Sequence, residues 1–253
     1  MLKFYEGANK VLSLFLITVI SLYLVLTAGI IQAQTLVIND TNGPPFTTPE
    51  GDGFLDIIAG KAFKQAGLTL KLIRTPPERA LQNANAGIDD GELTRIKGIN
   101  KTYTNLVRVP EKIIDWNFVA LTRNQNISVH DWNDLRKYRI GFIRGWKILE
   151  NNTLRHQNVS IVRSPRELFA MLDKDRIDIA LYSKWAGIAL VKKHNIKNIR
   201  VLEPPLAMRE MYIYLNKKHI GHVNNISSAL KKMKDSGEYQ KIFNQKIEQP
   251  YNN

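Results

Sequence analysis

Cysteine is absent from this 253-residue chain. Its absence excludes disulfides, thiolate metal sites, cysteine nucleophiles and a cysteine-linked lipid anchor, and it suits an oxidising compartment, where a stray thiol is a liability. Histidine is scarce as well. His130, His156, His194, His219 and His222 make up the whole set, and none stands in H-E-x-x-H spacing. His219 and His222, before the last long helix, read as surface residues. The chain also lacks a G-x-S-x-G elbow, a P-loop and a dinucleotide fingerprint. No catalytic residue, metal ligand or cofactor is therefore expected, although a Ser/His/Asp set that assembles only in space leaves no sequence trace.

Acidic residues are few beside basic ones: 23 Asp and Glu against 36 Lys and Arg, a net charge of +13. The basic residues are dispersed, in no run longer than two, and no aromatic-rich RNA signature accompanies them. Nucleic acid is not an expected partner, and the charge reads as a basic surface. A hydrophobic share of 44% is that of a packed globular protein, and the length allows one large domain or two lobes.

What is present begins with an export pattern. Lys3 and Lys10 lie in a short charged region, Val11 to Ile31 runs 21 residues without a charge, and Ala28, Gly29 and Ala33 supply small residues. Basic, apolar, then small is the order of a secretory signal, with cleavage expected near Ala33. The apolar run is also long enough to span a bilayer as an uncleaved anchor. Either way the rest of the chain is expected outside the cytoplasm.

Beyond it, Thr35 to Asn39 alternates as a strand, and Phe54, Ile57, Ile58, Ala62, Phe63 and Ala66 fall at helical spacing, stopped by Gly67. Thr69 to Arg74 reads as a second strand, so the order points to a parallel βαβ unit. Pro76-Pro77 opens a short helix, and Gly87 to Thr94 is a turn entering a strand. Asn117 to Thr122 is a candidate crossing between lobes. A second α/β set follows. Tyr138 to Ile143 and Val159 to Val162 are strands, Ser164-Pro165-Arg166-Glu167 is a capping box, Ile177 to Tyr182 is a buried strand, and a helix runs to about His194. Arg200 to Leu202 begins another strand. Met211 to Leu215 reads as a separate return crossing, and Ile226, Ala229, Leu230 and Met233 mark a closing helix ended near Gly237.

Four phrases in this order, "GPPFTTPEGDGFLDIIAGKAFKQAGLTLKL", "RALQNANAGIDDGEL", "IDIALYSKW" and "LKKMKDSGEYQKIFNQ", together resemble the bacterial extracellular solute-binding proteins of family 3, the polar amino-acid-binding type. The resemblance covers nearly all of the chain beyond the export segment. It implies an α/β, two-lobed periplasmic-binding-protein-like fold of type II, each lobe a mixed sheet flanked by helices, with two crossing strands as hinge. The expected division is 1–33 for the signal or anchor, 35–120 plus 212–253 for lobe 1, and 124–208 for lobe 2. The implied function is capture of a small polar, amino-acid-like or anionic ligand by a periplasmic monomer, with the membrane permease of an ABC transporter as partner. Two alternatives stay open: a sensory or interaction domain, and a dehydratase-like enzyme on the same fold.

The resemblance also directs attention to particular residues. Family members fix a ligand carboxylate with an arginine, whose planar fork matches two oxygens. At the family position this chain has Lys101, with Arg95 and Arg108 nearby, and Arg95 is the expected clamp because it follows the Asp90-Gly91 turn. The family's ammonium-binding aspartate falls on Ser183, beside Tyr182, and a serine cannot supply the charge. Phe46, Trp146 and Trp185 are candidate cleft aromatics, Trp146 foremost. Arg144 is expected to aid an anionic group and Asp40 to accept a donor from the ligand. Asp56 reads as a capping residue.

Overall fold

The computed structural model describes residues 33–251, apart from the side chain of Lys147. Residues 1–32 of the expected signal or anchor lie outside the described residues. From Thr35 onward the chain is one compact unit.

Its strands are β1 (Gln34–Asn39), β2 (Leu68–Ile73), β3 (Gly91–Ile96), β4 (Leu106–Arg108), β5 (Ile114–Thr122), β6 (Ile140–Ile143), β7 (Val159–Val162), β8 (Ile179–Ser183) and β9 (Arg200–Asn216). The main helices are α1 (Phe54–Gln65), α2 (Pro77–Ala86), α3 (Lys147–Thr153), α4 (Pro165–Asp173), α5 (Lys184–Lys193), α6 (Ile220–Asp235) and α7 (Glu238–Phe243). Among the described residues the strands form one nine-stranded mixed sheet in the order β2-β1-β3-β9-β5-β8-β6-β7, with β4 also on β9. Parallel pairs include β1 with β3 and β6 with both β7 and β8, whereas β5 and β9 run antiparallel to each other and to their outer neighbours.

Local chemistry sets the element ends. Asp56, in the first turn of α1, accepts from the amide of the N-cap Gly53 at 3.0 Å and from that of Thr48, in the preceding loop, at 2.9 Å, which ties the loop to the helix start. The helix buries Phe54, Leu55, Ile58, Ala59, Ala62 and Phe63 against β2 and α6. Ser164 caps α4 by accepting from the Glu167 amide at 3.2 Å, with Pro165 at the first helical position. The reciprocal half of the expected capping box differs: the Glu167 carboxylate accepts from the Arg163 amide at 3.1 Å.

Two further readings are corrected. Arg200–Leu202 and Met211–Leu215 belong to one strand, β9, because its pairing with β5 shifts register between Phe118, opposite Ala207, and Ala120, opposite Leu202. The intervening residues include Pro204 and Pro205, which cannot donate to a ladder and stand in the irregular stretch. His219 is not a surface residue but 8% exposed, drawn in by Asp90 Oδ1, which lies 2.7 Å from its Nε2.

Buried apolar side chains fall into separate clusters on either side of the middle of β5 and β9. One draws on residues between Leu36 and Ile114 and between Met211 and Ile247. Two others draw on residues between Val119 and Leu202. Phe118 and Ala120 feed one of these and Val119 and Leu121 the other, as strand alternation requires.

Gly91 marks the tightest crossing between elements. A Cβ there would lie 2.1 Å from the Tyr214 carbonyl oxygen and 3.1 Å from Leu215 Cα, backbone atoms that cannot turn aside. Gly91→Ala is expected to cost about 3 kcal/mol in urea unfolding. Gly60→Ala, in α1 with nothing within 4 Å of the new Cβ, is expected instead to stabilise by roughly 0.5–1 kcal/mol.

Candidate functional site

Strands β5 and β9 run through the middle of the sheet, and their alternation presents Trp116 and Phe118 from one, and Arg209 and Met211 from the other, to a common cleft of about 390 Å³. Trp116 and Arg209 are direct partners in the ladder. Thr41, Pro77, Arg95 and Ile96 line the cleft from the β1–β3 side, and Gly145, Trp146, Ile148 and Ser183 from the β6–β8 side. A second depression of about 350 Å³ is built by α5, the loop after it, Val201 near the start of β9 and Tyr251.

Trp146 is positioned by the turn before it. Gly145 holds a positive φ of 88°, which suits a residue without Cβ, and its amide donates to Glu150 Oε1 at 2.7 Å. The indole then stacks on Tyr182 at 4.7 Å with planes 20° apart and meets the edge of Phe118 at 5.8 Å. Tyr182 is 7% exposed, and burial pushes its hydroxyl up to about 12. It backs Trp146 and is absent from the cleft lining. Phe46, 1% exposed, stands in the same relation to Trp116, edge-on at 5.6 Å.

Asp40 is also behind the wall. Its Oδ1 accepts from the Asn42 amide at 2.9 Å and Asn42 Nδ2 at 2.7 Å, and its Oδ2 from Thr47 Oγ1 at 2.6 Å. These bonds fix the loop that brings Thr41 to the cleft. Arg144 is exposed beside the turn and outside the lining, and Trp185 packs near Phe243 at 6.0 Å. Of the three cationic alternatives only Arg95 reaches the cleft. Lys101 is exposed on a short helical turn, and the Arg108 guanidinium lies 4.4 Å over the Tyr212 ring. The structure thus brings Arg95, Trp146 and Ser183 to one cavity and sets Asp40, Phe46 and Tyr182 behind it.

Ser183 ends β8 at the start of α5. It is 2% exposed, its Oγ has no hydrogen-bond partner among the described residues, and it places no side-chain cap on the helix.

Arg95 is not free. Its Nε and Nη2 each lie 2.8 Å from Glu92 Oε2, and Nη2 also donates to the Pro77 carbonyl at 3.2 Å. Glu92 is 1% exposed, and its other oxygen has no partner among the described residues. Burial pushes the Glu92 carboxyl up to about 7, assisted by the charges of Asp89 and Asp40 and opposed by Arg95.

The residues missed from sequence include Trp116, Phe118, Arg209 and Met211 in the lining and Glu92 behind it. The period-two alternation at 116/118 and 209/211 was the available signal, once both segments are taken as crossing strands. Glu92 carried none, since its role depends on burial.

No family model matches the chain. An uncharacterized protein of Shewanella oneidensis is 29% identical over 201 residues, covering 75% of this chain and 74% of that one. Solved structures similar in fold include a histidine kinase sensor domain with similarity to periplasmic binding proteins, at 14% identity and a TM-score of 0.69 over 84% of this chain and 96% of that one. An ancestral arginine-binding protein bound to arginine is similar at 19% identity and a TM-score of 0.67, over 83% and 97% of the two chains. The substrate-binding protein of an amino acid ABC transporter is similar at 19% and 0.65, over 85% and 100%. At these identities the likeness shows the fold, which is the α/β periplasmic-binding-protein-like one.

The state of Glu92 has a measurable consequence. A carboxyl that titrates at 4.5 when free and near 7 when folded binds its proton more tightly in the native state. Its stabilisation is complete below the lower value and lost as pH rises through the upper one. Unfolding free energy is expected to fall by about 3 kcal/mol on this account between about pH 4 and about pH 8. Glu92→Gln should flatten that descent in urea titrations across the same range.

Proposed function

We propose that the protein is an exported, monomeric solute-binding protein of the family 3 type, which closes over a small polar, amino-acid-like or anionic ligand without changing it and presents it to an ABC-type permease. One observation carries this reading: the cleft floor is made of the two strands that join the β1–β3 side of the sheet to the β6–β8 side, and its walls come from both. A small rotation about β5 and β9 would bring Arg95 toward Trp146 and Ser183, the hinge closure that encloses a ligand. The proposed lobes are 35–120 with 212–253, and 124–208. Arg95 is the proposed carboxylate clamp and Trp146 the proposed stacking surface. The arginine-binding and ABC substrate-binding proteins of similar fold support the reading.

A second reading, a ligand-sensing domain, is favoured by the kinase sensor domain of the same fold. It shares the cleft and differs in the partner that senses closure.

The test is a thermal-shift screen of the purified protein against amino acids, small peptides, organic acids and sugars. A ligand at one hundred times its dissociation constant is expected to add about 2.7 kcal/mol of stability. Arg95→Ala should abolish the shift, and Trp146→Ala should weaken binding about tenfold through loss of stacking. The ligand should be recovered with unchanged mass. A screen without a shift in any class would refute capture, and a changed mass would identify an enzyme.

A further inference from the structure

We infer that the cleft is built for an apolar carboxylic acid that carries a single negative charge and no α-ammonium group, such as an aryl- or alkyl-bearing monocarboxylate. This rests on the ligand-capture reading and narrows its ligand.

None of the cleft's lining side chains is a carboxylate. The carboxylate nearest in sequence to the clamp, Glu92, is 1% exposed and bound to two nitrogens of Arg95. A ligand ammonium would leave water for a cleft whose lining offers it no carboxylate, which is costly.

Donors are plentiful by contrast. Arg209 is exposed at the cleft floor, makes no ion pair among the described residues, and uses one nitrogen on the Met208 carbonyl at 2.8 Å. Ser183 lines the cleft with a buried hydroxyl that has no partner among the described residues. It sits at the N-terminus of the ten-residue α5, whose first-turn amides receive no side-chain cap and whose dipole favours an anion. Above about pH 7, where Glu92 is ionised, Arg95 and Glu92 cancel and Arg209 remains, so the cleft balances one negative charge. The rest of the lining is mostly apolar, with Trp116 and Phe118 on the floor and Trp146 and Ile148 on the β6–β8 side, and suits a hydrocarbon or aryl body.

Matched pairs differing only in the ammonium group test this by isothermal titration calorimetry on the full chain: 3-phenylpropanoate against phenylalanine, and 4-methylpentanoate against leucine, with 3-phenylpropanamide as the uncharged control. The acids should bind at least roughly tenfold more tightly than their amino acid partners and than the amide. Arg209→Gln, at an exposed position, should weaken the acids by about tenfold, and Ser183→Ala should weaken them in the same direction. Equal or tighter binding of the amino acids would overturn the inference and leave ligand capture standing. Binding of polar amino acids alone, with neither monocarboxylate taken, would do the same. A folded protein, verified by circular dichroism, that binds nothing in this set or in the wider screen would overturn both.

Discussion

The antiparallel pairing of β5 with β9 is the contact on which the rest of the molecule depends. It begins at Ile114 opposite Met211 and ends at Thr122 opposite Arg200. At one end β9 continues into β3 and β4, and along the other β5 carries β8. The two strands therefore join the separate apolar clusters and also form the cleft floor. Their backbone groups are satisfied by each other and by outer strands, so the side chains of the floor are left for other contacts. A long strand pair of this kind flexes by small changes in twist, which permits motion between its two ends without breaking the ladder.

Around that floor, the polar residues divide between those that hold loops and those that face the cavity. Asp40 spends both oxygens on Asn42 and Thr47, and Asp89 accepts from Asn39 and Asn83 at 3.0 Å each. These bonds fix the turns after β1 and before β3, the first of which brings Thr41 to the cleft. Glu92 has a different part. It compensates Arg95 inside the protein, so the arginine keeps its fork in place while its charge is already answered. Arg95, only 15% exposed, would be costly there without such a partner, and a buried carboxylate with one oxygen unpartnered among the described residues is tolerated because Arg95 offsets part of that cost. The cleft's charge balance is consequently set by a pair that a reading of single residues does not reveal.

Support from behind is the third element of the design. Tyr182 stacks under Trp146, and Phe46 meets Trp116 edge-on. Large rings packed this way restrict the rotamers of the ring in front, which lowers the entropy lost when something settles against it. Residues that never line the cleft therefore still set its shape.

Much of the local structure was legible in sequence because it is governed by neighbours in the chain. The apolar spacing of α1, the Ser164-Pro165 start of α4, the strand Val159–Val162 and the glycine stop at Gly237 follow from periodicity, capping and backbone freedom within a few residues. The family phrases conveyed the two-part α/β order for the same reason, since they are runs of such local signals. The unity of β9 was not legible, because Pro204 and Pro205 lie between its two strand signals and only the partner strand shows that pairing resumes beyond them. The distinction between Trp146 facing the cleft and Tyr182 or Phe46 behind it was likewise hidden, as were Trp116, Arg209 and Glu92. Local sequence specifies which segments become strand or helix through interactions a few residues long. Which side chain meets solvent, cavity or counter-charge is set by pairings between residues as distant as Trp116 and Arg209, and these exist only after the chain has folded.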